Sequence, residues 1–161
     1  PLNTAGALKL LMSPEDNFLV MNGDILCDVN YKKLFEEHIA KKSLVTICVK
    51  KRTVKIDYGV IEIDKSNASL AGYIEKPQYD MYVSAGIYVM NKKILPYIKR
   101  GEAISMPDLM KRLLDSNKKI HYKIHDGFWL DIGRQEDYQK ANDIFAMKDS
   151  SKIRRGLCAQ K

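Results

Sequence analysis

The chain has 161 residues, 45% of them hydrophobic and 29% charged. That is enough apolar material for one domain with a buried core, and it excludes disordered and fibrous classes. Its 27 lysines and arginines against 20 aspartates and glutamates leave a formal charge of +7, which favours acidic partners such as nucleic acid, an anionic membrane or phosphorylated small molecules. The basic residues fall in scattered pairs, Lys32-Lys33, Lys41-Lys42 and Lys118-Lys119, with Lys50-Lys51-Arg52 the one tight triplet. A basic stripe with interleaved aromatics is missing, so no nucleic-acid partner is expected. No apolar run approaches the ~18 residues of a membrane span, and a soluble cytoplasmic protein is expected. Cys27, Cys48 and Cys158 are an odd number without a Cys-x-x-Cys pair, which points to reduced, packed thiols rather than a disulfide framework or a zinc site.

In chain order, Asn3 or Thr4 is positioned to cap a short helix through about Met12, stopped by Ser13-Pro14-Glu15-Asp16. Phe18-Leu-Val-Met21 is an unbroken apolar run of the kind a strand buried on both faces requires, and predicts a central strand ending in Asn22-Gly23-Asp24. Asn30 to about Lys41 is an amphipathic helix with Leu34, Phe35, His38 and Ile39 on one face. Ser43 to Val49 is β-branched and extended. Phe18 to Val49 therefore reads as a βαβ unit with parallel pairing, and the fold class is an α/β layered domain.

Successive strands are predicted near Gly59–Ile63, Leu70–Glu75 and Val83–Met90. A short helix over Lys92–Ile98 follows, then one with Pro107 in its first turn and an apolar stripe of Leu109, Met110, Leu113 and Leu114. Ile120, Tyr122 and Ile124 alternate with His121, Lys123 and His125 in a strand whose histidines lie on the polar face, an arrangement unsuited to a helical metal pair. Phe128-Trp129-Leu130 is a second buried apolar run, and a last helix runs from about Arg134 to Ala146. The organisation is one domain over residues 1–147 and a basic, flexible tail over 148–161.

Four places carry candidate chemistry. Asp24 and Asp131 each follow an apolar strand, and the carboxyl ends of strands are where open α/β sheets bind ligands. Two converging aspartates suit magnesium, which takes one or two carboxylates and completes its shell with water and phosphate oxygens. The bland alternatives are a tight Asn-Gly turn at Asp24 and a helix N-terminal or loop acid at Asp131. Thr4, Ala5 and Gly6 place small residues and free backbone N–H groups at a helix start, either for close packing or for the approach of a flat ring or phosphate. Glu75-Lys76-Pro77 pairs a carboxylate with an ammonium; the proline favours an extended Lys76 that directs the two charges apart, and the alternative is an exposed pair at an edge strand. Ser84-Ala85-Gly86 puts a glycine inside a strand, where a ligand or another backbone often approaches closely.

Six segments in order, Leu2-Asn-Thr-Ala-Gly-Ala-Leu8, Phe18-Leu-Val-Met-Asn-Gly-Asp24, Tyr58-Gly-Val-Ile-Glu62, Glu75-Lys-Pro77, Ser84-Ala-Gly-Ile-Tyr88 and Trp129-Leu-Asp-Ile-Gly133, resemble the sugar-1-phosphate nucleotidylyltransferases over about Pro1 to Asn142. The resemblance implies a Rossmann-like, GT-A-like nucleotidyltransferase fold, a mixed sheet flanked by helices. It implies the reaction of an NTP with a sugar 1-phosphate to give an NDP-sugar and pyrophosphate, with Mg2+ as cofactor. Asp24 and Asp131 match the family's metal ligands and, with Lys76, its catalytic set. Thr4, Ala5, Gly6 and Gly23 match the nucleotide side; Tyr58, Gly59, Glu75, Lys76, Ser84, Ala85 and Gly86 match the sugar-phosphate side. By resemblance the base is guanine in preference to thymine and the sugar a hexose or heptose. A homo-oligomer is compatible with this reading.

Two departures from the family pattern stand out. Asn3 occupies a position where glycine is usual, a tolerable change because asparagine accepts left-handed backbone. The Gly-rich loop with its arginine, and the lysine in a Pro-Lys-Pro setting, have no counterpart, so the opening strands of the sheet and much of the leaving-group site are expected to be missing from this chain. The expectations are a fragment of a longer enzyme, weak alone, or a non-catalytic subunit that binds nucleotide or NDP-sugar.

Overall fold

A computed structural model describes residues 1–12, 14–133, 135, 137–144 and 146. Its principal sheet has four strands in the order β1 (Asn17–Met21), β6 (Gln78–Asn91), β3 (Val45–Lys55), β7 (Ile120–Ile124). β6 runs antiparallel to both neighbours, whereas β3 and β7 are parallel. Two short ladders flank this sheet: β2 (Ile25–Cys27) with β8 (Trp129–Asp131), and the hairpin of β4 (Val60–Asp64) and β5 (Ser69–Ile74). Helices α2 (Tyr31–Ala40) and α3 (Met106–Asp115) cover it. This is the mixed sheet flanked by helices that the sequence implies.

The βαβ reading needs correction at one point. β1 and β3 run in the same direction with α2 between them, but they do not pair, because β6 is inserted between them. The strand buried on both faces is β6, where Ala85 to Met90 is buried throughout. β1 pairs only with β6 among the described residues, and its Leu19 and Met21 are 39% and 40% exposed. An apolar run reports burial of a strand but not its place in the sheet order, and two runs of similar composition compete for the centre.

Alternation along β3 and β6 sorts the core into two layers. Val45, Tyr88 and Met90 face α3, packing with Ile94, Ile98, Leu109 and Leu113. Cys48, Ile87 and Val89 face the other way, onto Leu34 of α2 and Ile25 of β2. On that second face the buried His38 ring is satisfied on both sides: Nε2 donates to Asn17 Oδ1 at 3.1 Å, leaving Nδ1 to accept from the Thr46 hydroxyl at 2.9 Å. Burial, followed by the nearby His121, lowers its pKa and keeps it neutral.

Most predicted elements are present with shifted ends. Asn30 caps α2 by accepting from Lys33 N at 2.9 Å, and Ser105 caps α3 with Pro107 in its first turn. Ile39 and Leu114, placed on apolar faces by their spacing, are 51% and 56% exposed. β3 continues to Lys55 because β6 keeps pairing with it to Gln78, a long two-stranded arm. The N-terminal helix is only Asn3–Gly6 (α1), followed by a 3-10 turn over Ala7–Leu10, and neither Asn3 nor Thr4 caps it. Asn3 instead takes a left-handed φ of 56°. Residues 128–130 are half-buried rather than buried. Described residues between 135 and 146 are helical, and the tail from 148 lies outside the described residues.

Leu109 and Leu113 are fully enclosed between α3 and the sheet. Leu109→Ala is expected to lower the stability measured by urea denaturation by about 2–5 kcal/mol, since it removes buried methyl groups and leaves a cavity in a tightly packed layer.

Candidate active site

The site begins where β1 ends. Asn22 N donates to Gly86 O at 2.9 Å, and Gly86 holds a left-handed φ of 71°. A Cβ on Gly86 would lie 2.9 Å from Asn22 Nδ2, so what approaches this glycine is the Asn22 side chain. The register between β3 and β6 slips here, Ile47 facing Tyr88 and Val49 facing Ser84. The glycine inside the strand therefore marks a bulge that receives Asn22 and fixes the turn carrying Asp24. Ser84 is exposed, with its Oγ 2.8 Å from Tyr88 Oη, and Ala85 is fully buried.

β2 then pairs with β8 so that Ile25 faces Asp131, and Ile132 N donates to Asp24 O at 2.9 Å. This ladder brings the two acids together. A Cβ built on Gly133 would lie 2.8 Å from Asp24 Oδ2 and 3.1 Å from Asp131 Oδ1, so the two carboxylate oxygens are within about 6 Å of each other, around a glycine that leaves the space between them clear. Asp131 Oδ1 also accepts from Gly133 N at 3.1 Å. Neither acid is in an ion pair among the described residues. No cluster of three or more His, Cys, Asp or Glu side chains with metal-site geometry occurs among them either. Two carboxylates without cations of their own suit a hard divalent ion that draws its other ligands from water and phosphate. Gly23 beside them has nothing within 4 Å of its Cβ position, so this flank is open.

Residues outside the candidate site set hold this pair in place. Trp129 Nε1 donates to Ala85 O at 2.9 Å, tying β8 to the bulge, and the Arg52 guanidinium lies 5.5 Å from the centre of the Trp129 ring. Lys50 Nζ donates to the carbonyls of Asp126 and Gly127 at 3.0 and 2.7 Å. His125 Nε2 lies 3.0 Å from both Phe128 O and Asp28 Oδ1. Lys51 pairs with Asp80 at 2.8 Å. The basic triplet is thus divided among separate intramolecular partners. Only the adjacency of a lone tryptophan to Asp131 hinted at this support in the sequence.

The other predicted site residues fall into two groups. Ala5 and Gly6 are buried, and their N–H groups, expected to be free, both donate to Ile104 O at 3.0 and 3.1 Å. Thr4 Oγ1 accepts from Met106 N at 2.9 Å. A Cβ on Gly6 would meet Glu102 O at 2.3 Å, so its smallness serves packing against the 102–106 loop. The second group lies on the arm: Gly59 is packed against Tyr73, whose hydroxyl oxygen would be 2.1 Å from an added Cβ, and Tyr58 is 78% exposed. Lys76, expected to be extended, has φ 44°, and its Nζ lies 3.9 Å from Glu75 Oε1 rather than pointing away. The sharp turn from β5 into β6 overrides the preference that Pro77 imposes. No hydrogen bond or ion pair among the described residues joins Glu75 or Lys76 to Asp24 or Asp131.

This arrangement is a mixed-sheet α/β domain with two acids at adjoining strand ends beside an open glycine turn, the kind of place where such sheets bind ligands. The family model described as Nucleotidyl transferase matches residues 1–148, and the chain belongs to that family. It is 32% identical over 153 residues to the mannose-1-phosphate guanyltransferase of Hypocrea jecorina, covering 90% of this chain and 42% of that protein. It is 31% identical over 144 residues to the mannose-1-phosphate guanylyltransferase catalytic subunit beta of Drosophila melanogaster, covering 86% and 38%. Among solved structures, HddC from Yersinia pseudotuberculosis superposes with a TM-score of 0.64 at 28% identity, covering 90% of this chain and 63% of that one. The chain thus spans less than half the length of these curated relatives. No helix among the described residues is long and apolar enough to cross a membrane.

The 102–106 loop that anchors Ala5 and Gly6 is itself held by a two-pronged ion pair, Arg112 Nη1 and Nη2 to Glu102 Oε2 and Oε1 at 2.8 and 2.6 Å. Arg112, then the Lys99 backbone N–H, pulls the Glu102 carboxyl down to about 2 from an ordinary 4.5. A depressed folded pKa means that the stabilisation is fully present above about pH 4.5 and is lost as pH falls from there toward 2. Chemical denaturation is expected to show a midpoint that falls through this window. Glu102→Gln is expected to start lower at neutral pH and to fall less; parallel curves for the two proteins would mean that the pair contributes nothing.

Proposed function

We propose that the protein to which this chain belongs transfers a nucleotidyl group from an NTP to a sugar 1-phosphate, giving an NDP-sugar and pyrophosphate. The observation that carries the reading is the convergence of Asp24 and Asp131 on the space beside Gly133, in a chain whose relatives are guanylyltransferases of mannose 1-phosphate. Those names, and a structure of HddC complexed with GMP-PN, favour GTP over other nucleotides. The sugar is then a hexose 1-phosphate, mannose first, with a heptose as the alternative.

The chemistry joins two anions: an oxygen of the sugar phosphate attacks the α-phosphorus, and the bond from that phosphorus to the pyrophosphate oxygen breaks. Positioning and charge neutralisation dominate such a step, and no covalent enzyme intermediate is required. Asp24 and Asp131 would hold Mg2+, which when bound neutralises phosphate charge. The Asn22–Asp24 turn, pinned to the Gly86 bulge, orients one carboxylate; the β2–β8 ladder, tied down by Trp129, orients the other. Gly23 leaves an open flank that would admit the nucleotide, and Thr4 would serve the same substrate. Glu75 would accept from sugar hydroxyls and Lys76 would supply the cation that meets the sugar phosphate, with Tyr58, Gly59 and Ser84 to Gly86 assigned to that substrate.

In the complete polypeptide, Asp24→Asn and Asp131→Asn are each expected to reduce magnesium-dependent pyrophosphate release from GTP and mannose 1-phosphate by about a hundredfold or more. Full activity in both variants would refute the metal assignment. Binding of GDP-mannose by calorimetry without any turnover would select the non-catalytic subunit instead.

Gly133→Ala gives a more local check. Its methyl group would sit 2.8 Å from Asp24 Oδ2, forcing the carboxylates apart. Mn2+ affinity, read by electron paramagnetic resonance, is expected to fall about tenfold with the circular dichroism spectrum unchanged, because metal sites depend on ligand placement at the few-tenths-of-an-ångström level.

A further inference from the structure

The end of the sheet opposite Asp24 carries a second concentration of chemistry. β3 and β7 are parallel, with Val45 facing Ile120 at their amino ends. Just before those ends the chain places Lys41, Lys42 and Ser43 on one strand entry and Lys118 and Lys119 on the other. Together with His121 these residues line a concavity of about 520 Å³. An adjoining one of about 340 Å³ shares Lys42, Ser43 and Leu44 and adds Lys93. Among the described residues no carboxylate lines either space.

None of Lys41, Lys42, Lys93, Lys118 and Lys119 is in an ion pair among the described residues, in contrast to Lys51, Lys92 and Lys123, which hold Asp80, Asp16 and Glu37 at 2.6–2.8 Å. Lysines at a helix C-terminus often do no more than complement the helix dipole, and both α2 and α3 end here. That explanation falls short in magnitude. Two helix ends present about one negative charge between them, against four full positive charges around the larger concavity. The last turns are also already satisfied, Ser43 N donating to His38 O, Lys42 N to Ile39 O, Lys118 N to Leu113 O and Asn117 N to Leu114 O.

A second observation comes from the wall. Ser43 is 6% exposed, lines both concavities, and its hydroxyl has no hydrogen-bond partner among the described residues. A buried hydroxyl without an acceptor is uncommon and costly unless something else supplies one. His121 registers the surplus charge as well: burial, then Lys119 and Lys41, lowers its pKa.

From this placement we infer that the amino ends of β3 and β7 form an anion-binding site, separate from the aspartate pair, for a small molecule bearing one or more phosphate groups. The volumes are those of a small-molecule site, and the open mouth suits a charged, partly solvated group. A nucleic-acid strand would need a longer groove and aromatic platforms for its bases, and among the described residues no aromatic side chain other than His38 and His121 lines these spaces. The site stands whether or not the proposed transferase reaction is correct, since none of its residues belongs to the proposed catalytic machinery.

The test uses the 161-residue chain, inorganic pyrophosphate as probe and a chelator to remove divalent metal, followed by amide and histidine NMR at constant ionic strength. Saturable shifts are expected at Lys42, Ser43 and Lys119, with the His121 ring titrating at higher pH when the probe is bound. Lys41→Gln with Lys42→Gln, and separately Lys118→Gln with Lys119→Gln, are expected to weaken binding about fivefold or more; these side chains are exposed, so the fold should be kept. Asp24→Asn is expected to leave these shifts in place. Shifts that never saturate, that appear only around Asp24 and Gly133, or that survive both lysine pairs unchanged would overturn the site. Tighter, steeply salt-dependent binding of a short single-stranded oligonucleotide at the same residues would overturn its assignment to small phosphorylated ligands.

Discussion

A three-residue antiparallel ladder, Ile25–Cys27 against Trp129–Asp131, is the contact on which the candidate active site depends. It joins a turn near the start of the chain to a strand near its end and sets Asp24 and Asp131 on either side of Gly133. Three residue pairs are too few to hold register unaided. The ladder is instead seated on the main sheet, by Trp129 on the Ala85 carbonyl and by Ile25 packed with Ile87 and Val89. On the other side, the Lys50 and His125 contacts clamp the loop that delivers β8. The polar geometry at the surface is thus set by apolar packing beneath it.

β6 has a double role in this arrangement. Its buried carboxyl-terminal half separates β1 from β3 and supplies both core layers. Its bulge at Ser84–Gly86 receives Asn22 and ends the pairing with β1 where the acid-bearing turn must leave the sheet. Its amino-terminal half, which follows Lys76 and the β4–β5 hairpin in the chain, pairs with Arg52–Lys55 to form an arm. One strand therefore connects the metal side and the sugar-phosphate side of the proposed reaction.

The charge of +7 is distributed in two distinct ways. Toward the aspartate pair, the three cations of the basic triplet have work inside the fold: Lys50 on carbonyls, Lys51 on Asp80, Arg52 on Trp129. At the opposite end of the sheet, paired lysines converge with no ion pair of their own among the described residues. A composition total cannot separate these cases, because it contains no information on which lysines share a surface.

The alternation of apolar residues, the helix starts at Asn30 and Pro107 and the punctuation at Asn22-Gly23 were enough to establish most of the element order, the α/β class and the two aspartates as candidates. These are local properties, written within a few residues of where they act. The order of strands, the exposure of β1, the left-handed Lys76 and the use of Ala5 and Gly6 N–H groups by Ile104 were not legible. Nor was the support that Trp129, Lys50 and His125 give to Asp131. Each depends on which distant segment arrives as neighbour, and a side chain's hydrophobicity says that it will be buried without saying against what. By itself the sequence determined which residues could do chemistry; the tertiary structure decided which of them meet, because convergence in space is a property of long-range pairing and not of spacing along the chain.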